Sequence, residues 1–429
     1  MESIASKAPD TDAIASPKSV YKIIVAASIG NALEWFDLVA YGFFAATISK
    51  LFFPNSDETV SLLLALGTFG VSYLIRPIGA VVLGAYADRA GRKASLLVSI
   101  NLMMLGSFLI AVMPTYATIG ILAPIGILIA RLIQGFSVGG EFGSSTALLV
   151  ETNPSRRGFM SSWQYASQGL TTVFAAGFGV ALSTFLTPAQ LEAWGWRLPF
   201  IFGLLIGPVG LFIRRHIDEG AEFKVSQGTE KPIKALWQHQ KFRVMLAMGA
   251  LLVSTSVNYL ILYMPTYGVK QLGLSASSSF TATMLTGATL AILPPMVGHL
   301  SDRIGRVQIM VLAAALMFLT IYPLFVFVTR VPTALSMTCA MLWIGVLKAC
   351  YSGVLPSLLS EMFPIETRGS GLSVSFNLAV TIFGGFAPAI ITWLIAVTGS
   401  KLSPSFYLLF CAGGSLIALA LVRKRLLLK

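Results

Sequence analysis

Long apolar runs alternate with short polar breaks along this chain. Twelve such runs fall at about 22–48, 60–84, 94–113, 119–149, 158–185, 198–214, 243–267, 276–298, 307–328, 333–360, 370–397 and 404–422. Each is long enough to cross a hydrocarbon core of about 30 Å as a helix. Residues 1–19 are polar and rich in Ser and Ala, and 423–429 form a short tail led by Arg423-Lys424-Arg425. The first apolar run is long enough to stay as a span rather than serve as a cleaved signal. One long polar connection, 215–242, carries Asp218, Glu219, Lys224, Glu230, Lys231 and Lys234. It separates 20–214 from 243–422, with six runs in each.

Two polar breaks recur in the same order. Gly84-Ala-Tyr-Ala-Asp88-Arg89-Ala-Gly91-Arg92-Lys93 is matched by Gly298-His-Leu-Ser-Asp302-Arg303-Ile-Gly305-Arg306. Glu151-Thr-Asn-Pro-Ser-Arg156-Arg157-Gly158 is matched by Glu361-Met-Phe-Pro-Ile-Glu-Thr-Arg368-Gly369 at nearly the same separation. Both pairs are expected to be short basic loops. A paired repeat of this kind implies two structurally equivalent halves. The fold class expected is therefore all-α and integral to the membrane.

Composition narrows the function classes. The chain is 55% hydrophobic and only 11% charged, which excludes an ordinary soluble domain. The net charge of +12 does not indicate nucleic acid, because the Lys and Arg residues sit at the ends of apolar runs. Lys18, Lys22, Arg89, Arg92, Lys93, Arg156, Arg157, the central connection, Arg303, Arg306, Arg368 and the tail share one side. The other side has at most one cation per loop: Lys50, Arg197, Lys270, Arg330 and Lys401. The positive-inside bias then places both termini and the connection in the cytoplasm. Cys339, Cys350 and Cys411 lie inside apolar runs with no metal-ligand spacing, so no metal or cofactor is expected. No nucleophile elbow and no phosphate-binding loop appears, which argues against an enzyme. The loops are too short for a receptor's signalling domain.

Charges inside the spans carry the candidate chemistry, since each costs roughly 2.5–3.5 kcal/mol to insert. The first run holds Glu34 and Asp37 on one helical face. The second holds Arg76 before Pro77, about 12 Å from the Gly84 break. The fourth holds Arg131-Leu-Ile-Gln134-Gly135, with Glu141 about 15 Å nearer the cytoplasm. The tenth holds Lys348, equivalent to residues 134–138 of the first half and placed to face Arg131 across a cavity. Fixed ion pairs that hold helices in register are the competing reading. Gln134, Gln164, Gln168, Asn258, Tyr259, Tyr263, Tyr351 and Asn377 are candidates to line the same cavity, with helix–helix glue the alternative for each. Trp194 and Trp196, near a span end, read as interfacial anchors. His216, His239 and His299 lie at cytoplasmic ends, so any proton coupling rests on carboxylates.

The repeated Gly-x-x-x-Asp-Arg-x-Gly-Arg element resembles the signature loop of the major facilitator superfamily, found after its second and eighth helices. That resemblance implies a major facilitator fold: twelve transmembrane helices in two pseudo-symmetric six-helix bundles. Arg131-x-x-Gln134-Gly135 resembles the family's fourth-helix motif, which faces the central cavity. An acidic residue on the first helix is its usual counter-charge in proton-coupled relatives, which makes Asp37 the expected proton carrier and Glu34 the alternative. Burial favours a neutral acid and a nearby guanidinium favours the carboxylate. A proton on Asp37 would therefore free Arg131 for a substrate carboxylate. Asp88, Arg89, Arg92, Asp302, Arg303 and Arg306 are expected to gate the cytoplasmic side by capping or pairing with helix ends, with Glu141 and Arg76 in the same region.

Further runs resemble the metabolite–proton symporter branch: Gly30-Asn31-x-x-Glu34-Trp35-Phe36-Asp37, Arg76-Pro77-x-Gly79, Gln134-Gly135-Phe136-Ser137 and Trp194-Gly195-Trp196-Arg197-x-Pro199-Phe200. Ser162-Trp163-Gln164-x-Ala166-Ser167-Gln168 and Pro265-Thr266-Tyr267-Gly268 are most similar to citrate–proton symporters, which include tricarballylate carriers. The implied activity is import of citrate or a related tricarboxylate with protons, by a monomer in the cell (inner) membrane. α-Ketoglutarate, shikimate or an osmolyte is the alternative substrate, and drug efflux is less compatible with the branch motifs.

Overall fold

The computed structural model describes residues 17–427 apart from 91, 139–142, 144, 147–148, 151–152, 206, 209–235 and 237. The described residues form helices joined by short turns. The first half contributes Pro17–Phe43 continued by Ala45–Phe52, Glu58–Leu74 continued by Arg76–Ala90, Arg92–Val112, Leu122–Ser137, Arg157–Phe185 and Leu198–Gly203. The second half contributes Lys241–Leu272, Ala276–Ile304, Arg306–Arg330, Ala334–Ser352 continued by Leu355–Met362, Arg368–Val380 continued past a π turn by Ala387–Thr398, and Ser403–Leu426. These are the first to twelfth spans below. Eight of the described helices are long and apolar enough to cross a membrane. Most of the expected connection, along with residues 1–16, lies outside the described residues.

The breaks within spans follow from local sequence. The second span restarts at Arg76 with Pro77 beside it, where proline's missing N–H is tolerated. The tenth breaks at Gly353 and Val354 and restarts with Pro356 near its first position. The repeated basic elements are shorter loops than the sequence implies. The eighth span runs on through Asp302 and Arg303 to Ile304, and the turn is essentially Gly305 at φ 109°, a conformation open to glycine. In the first copy the backbone is helical to Ala90, while the side chains of Asp88, Arg89 and Arg92 lie outside the described residues.

Small residues let the halves meet. The fifth and eighth spans touch along their length. A side chain at Gly158 would meet the Gly298 carbonyl, and one at Gly169 would meet the backbone of Leu290 and Ala291. Gly287 likewise faces the Val173 backbone. With no hydrophobic drive between helices in lipid, such close backbone approach supplies the packing. On the opposite flank, Gly70 of the second span receives Phe386 of the eleventh. Lys270 and Glu58 pair across the halves at the end away from the repeated elements. The seventh span is central, with 78% of its most apolar window buried against 33% for the ninth. Leu312, Leu319, Phe410 and Ile417 of the ninth and twelfth spans are exposed, as lipid-facing residues should be.

One aromatic reading needs correction. Trp196 is no interfacial anchor but is fully buried, edge-on to Phe52 at 5.2 Å and near Phe200 at 6.1 Å. Only Trp194 is exposed. The turn Gly195–Arg197 carries the second indole inward, where an indole's large apolar area outweighs its single N–H.

Gly169→Leu is predicted to overpack the fifth–eighth contact at a cost of about 1–3 kcal/mol. The thermal midpoint of the purified protein should fall accordingly. Gly177→Leu, whose added atom meets only the Met284 sulfur at 3.8 Å, should leave it close to the parent value.

Candidate functional site

Charge is buried where the first, second, third and fourth spans converge. Arg131 is fully buried and held on three sides. Its Nη1 donates to Gln134 Oε1 at 2.9 Å and to the Leu38 carbonyl at 3.4 Å, and its Nη2 donates to Ser72 Oγ at 3.0 Å. The guanidinium also lies over the rings of Tyr41 and Phe69, at 4.8 and 5.1 Å. Such stacking offsets part of the cost of burying a cation. Gln134 Nε2 passes the chain on to Ser107 Oγ at 2.9 Å.

Ser107 leads to Asp37, whose carboxyl feels both that hydroxyl and the Arg131 charge. Asp37 is fully buried, yet neither of its oxygens has a hydrogen-bond partner. Arg131 and Asp37 form no ion pair, which departs from the direct counter-charge expected of them; Gln134 and Ser107 stand between. Room for Asp37 comes from the sixth span, where a side chain at Gly203 would strike its carboxyl. The expected Asp37 therefore occupies a tight pocket beside an indirect polar chain to Arg131.

An aromatic layer separates Arg131 from the second half. Phe69 and Tyr73 of the second span contact Tyr259 of the seventh, with ring centroids 6.0 and 5.5 Å apart. The hydroxyls of Tyr73 and Tyr259 are buried without partners. Against this layer the eleventh span forms a π turn, Thr381–Gly385, whose two glycines leave space for Tyr259 and Tyr73. Thr381 Oγ1 donates to the Tyr73 carbonyl at 3.0 Å. A π turn at a contact between halves is a common mark of a functional position. Tyr41, Phe69, Ser72, Tyr73, Ser107 and Gly203 were not singled out by sequence, where they merge into apolar runs.

Lys348 is buried on the tenth span, and its Nζ donates to Asn258 Oδ1. Asn258 precedes Tyr259, so this cation meets the aromatic layer at the same level of the seventh span. It makes no ion pair among the described residues. Three of the other expected cavity residues, Tyr351, Tyr263 and Gln164, tie helices together. Tyr351 donates to the Ala250 carbonyl at 2.6 Å, and the Tyr263 hydroxyl accepts from Thr392 at 3.0 Å. Gln164 exchanges hydrogen bonds with Asn31 across the first and fifth spans. Gln168 is buried with Nε2 unpartnered, and Asn377 Nδ2 donates to the Ser373 carbonyl at 2.9 Å.

Beside the aromatic layer a narrow crevice opens between the halves. Asn31, Glu34, Trp35 and Arg76 line it from one half and Phe376 and Asn377 from the other. It has room for about one water-sized group. Glu34 and Arg76 are thus neighbours at a seam between the bundles. Glu141 lies outside the described residues.

The second copy of the repeated element joins the halves at one end of the bundle. Asp302 Oδ1 accepts from Gly158 N at 2.8 Å and Oδ2 from Phe159 N at 3.1 Å. The fifth span has no cap from its own half, so a carboxylate of the other half satisfies its first amides and meets its dipole. Arg306 holds Asp302 at 3.3 Å and pairs with Glu361, which Arg157 approaches at 3.8 Å. Arg303 is exposed. Asp302→Ala is predicted to raise deuterium uptake in peptides covering 157–162, with a loss of about 1 kcal/mol for the cap. Arg303→Ala should leave that uptake unchanged.

The family model of the Major Facilitator Superfamily matches residues 27–388. The chain is 39% identical over 412 residues to a citrate-proton symporter of Klebsiella pneumoniae, covering 94% of this chain and 91% of that protein. It is 35% identical over 411 residues to a proline/betaine transporter of Escherichia coli (strain K12), covering 92% and 82%. Among solved structures it superposes on the partially occluded inward-open xylose transporter XylE of E. coli with a TM-score of 0.74 at 17% identity, covering 95% and 97%.

Proposed function

The chain belongs to the Major Facilitator Superfamily and is a multi-pass membrane transporter rather than an enzyme; from that premise we propose that it imports citrate or a related tricarboxylate in symport with protons. The termini and the 215–242 connection lie in the cytoplasm, and the 20–214 and 243–422 bundles rock about the seam between them. The observation that carries this reading is the pair of buried cations, Arg131 and Lys348, neither of which is ion-paired with a described carboxylate. A dehydrated polycarboxylate requires cationic partners of this kind. Protons also offset the charge of an anion that an inside-negative potential would repel.

Coupling runs through Asp37. A proton on its carboxyl removes a negative charge beside the Ser107–Gln134–Arg131 chain and leaves Arg131 free to turn toward substrate. When the substrate departs, the chain re-forms and the proton is released. Glu34, at the crevice below, is the alternative carrier. The identity to the proline/betaine transporter supports a second reading, uptake of a zwitterionic osmolyte.

In proteoliposomes, Asp37→Asn is predicted to abolish citrate accumulation driven by a pH gradient while sparing citrate–citrate counterflow. Full accumulation by that variant removes Asp37 from the coupling role. Arg131→Ala should weaken citrate binding by about 2–5 kcal/mol in a titration of the purified protein. A screen that finds saturable binding of glycine betaine and none of citrate would favour the osmolyte.

A further inference from the structure

Arg76 presents one edge to no partner. Its guanidinium lies over Tyr73 at 4.6 Å and over Trp35 at 5.4 Å, so two rings fix its plane. The residue is 1% exposed, and its Nε and Nη2 make no hydrogen bond. Those two nitrogens form the side edge of the guanidinium, the fork that takes a carboxylate through two parallel hydrogen bonds. Buried donors left unmet are costly, and a fork held by stacked rings at a seam between moving halves is suited to recognition rather than packing.

We propose that Arg76 binds a carboxylate of the transported molecule at the crevice it lines with Asn31, Trp35 and Asn377, forming a subsite on the cytoplasmic side of Arg131. The inference rests on the proposed transport of a carboxylate-bearing substrate. The crevice has room for about one water-sized group, so a carboxylate enters it as the halves part. Asn31 is committed to Gln164 and Ser167, and the Asn377 amide donates to Ser373, which leaves Arg76 as the donor of a matched pair. A phosphate would need more donors than that. Ser72, which holds Arg131, and Tyr73, which lies under Arg76, are consecutive residues. The two cations therefore flank one turn of the second span, and a carboxylate released by Arg131 reaches Arg76 on its way to the cytoplasm. Glu34 lines the same crevice, and its neutral acid tolerates the anion better than its carboxylate would. Organic acids and zwitterions such as betaine share the group that Arg76 reads.

The test is titration of the purified protein with citrate, tricarballylate and glycine betaine, for the parent, Arg76→Gln and Arg76→Lys. Whichever ligand the parent binds should lose at least about tenfold in affinity in Arg76→Gln. Arg76→Lys, which keeps the charge without the fork, should also lose affinity. Parent-like affinity in a folded Arg76→Gln protein overturns the subsite while leaving the transport reading intact. Absence of binding by the parent to all three ligands overturns both. A second measurement avoids altering Arg76. With the native cysteines replaced, maleimide labelling of Asn377→Cys should slow when the bound ligand saturates the protein, and an unchanged rate contradicts the subsite.

Discussion

The arrangement depends on a buried carboxyl that no hydrogen bond holds. Asp37 is fully enclosed, with the sixth span lacking a side chain at Gly203 to make room for it. It makes no ion pair with Arg131, whose polar chain runs through Gln134 to Ser107. A direct ion pair in this setting would lock the first and fourth spans together, since breaking a buried pair costs several kcal/mol. An indirect chain carries a smaller penalty and can change length with a change of charge. That makes the first half able to respond to a proton without being frozen by it.

The second half supplies a separate cation and the hardware of closure. Lys348 meets the aromatic layer through Asn258, while Asp302 reaches across to cap the fifth span. The Asp302 contact joins elements that a rocking motion would separate, whereas the Lys348–Asn258 contact lies within the second half. The glycine faces of the fifth and eighth spans allow the halves to approach closely there, and the π turn of the eleventh admits the tyrosines that seal the middle. The contact between halves at the Asp302 end is thus electrostatic, and the contact in the middle is steric. The two are joined by the tenth span, which carries Lys348 above its break and Glu361 below it.

Much of this was legible in the chain because charge is conspicuous in an apolar run. Arg131, Asp37, Arg76 and Lys348 announce themselves by cost alone, and the helical spans follow from run length. Asp302 was legible through its repeated setting, but its partners are backbone amides, which carry no side-chain signature. Phe69, Tyr73 and Tyr41 were hidden because an aromatic residue in a hydrophobic helix has no pattern to set it apart. Gly203 was hidden because its meaning lies in a contact with a span distant in sequence. Trp196 was misread because proximity to a span end does not say which way a turn points the ring.

The central claim is that substrate binding and protonation of Asp37 occur together. It is tested most directly by the proton uptake that accompanies citrate binding to purified protein in weak buffer, read with a pH indicator. The account predicts that the parent takes up more protons per bound citrate than Asp37→Asn at the same occupancy. Equal uptake by the two proteins would contradict it.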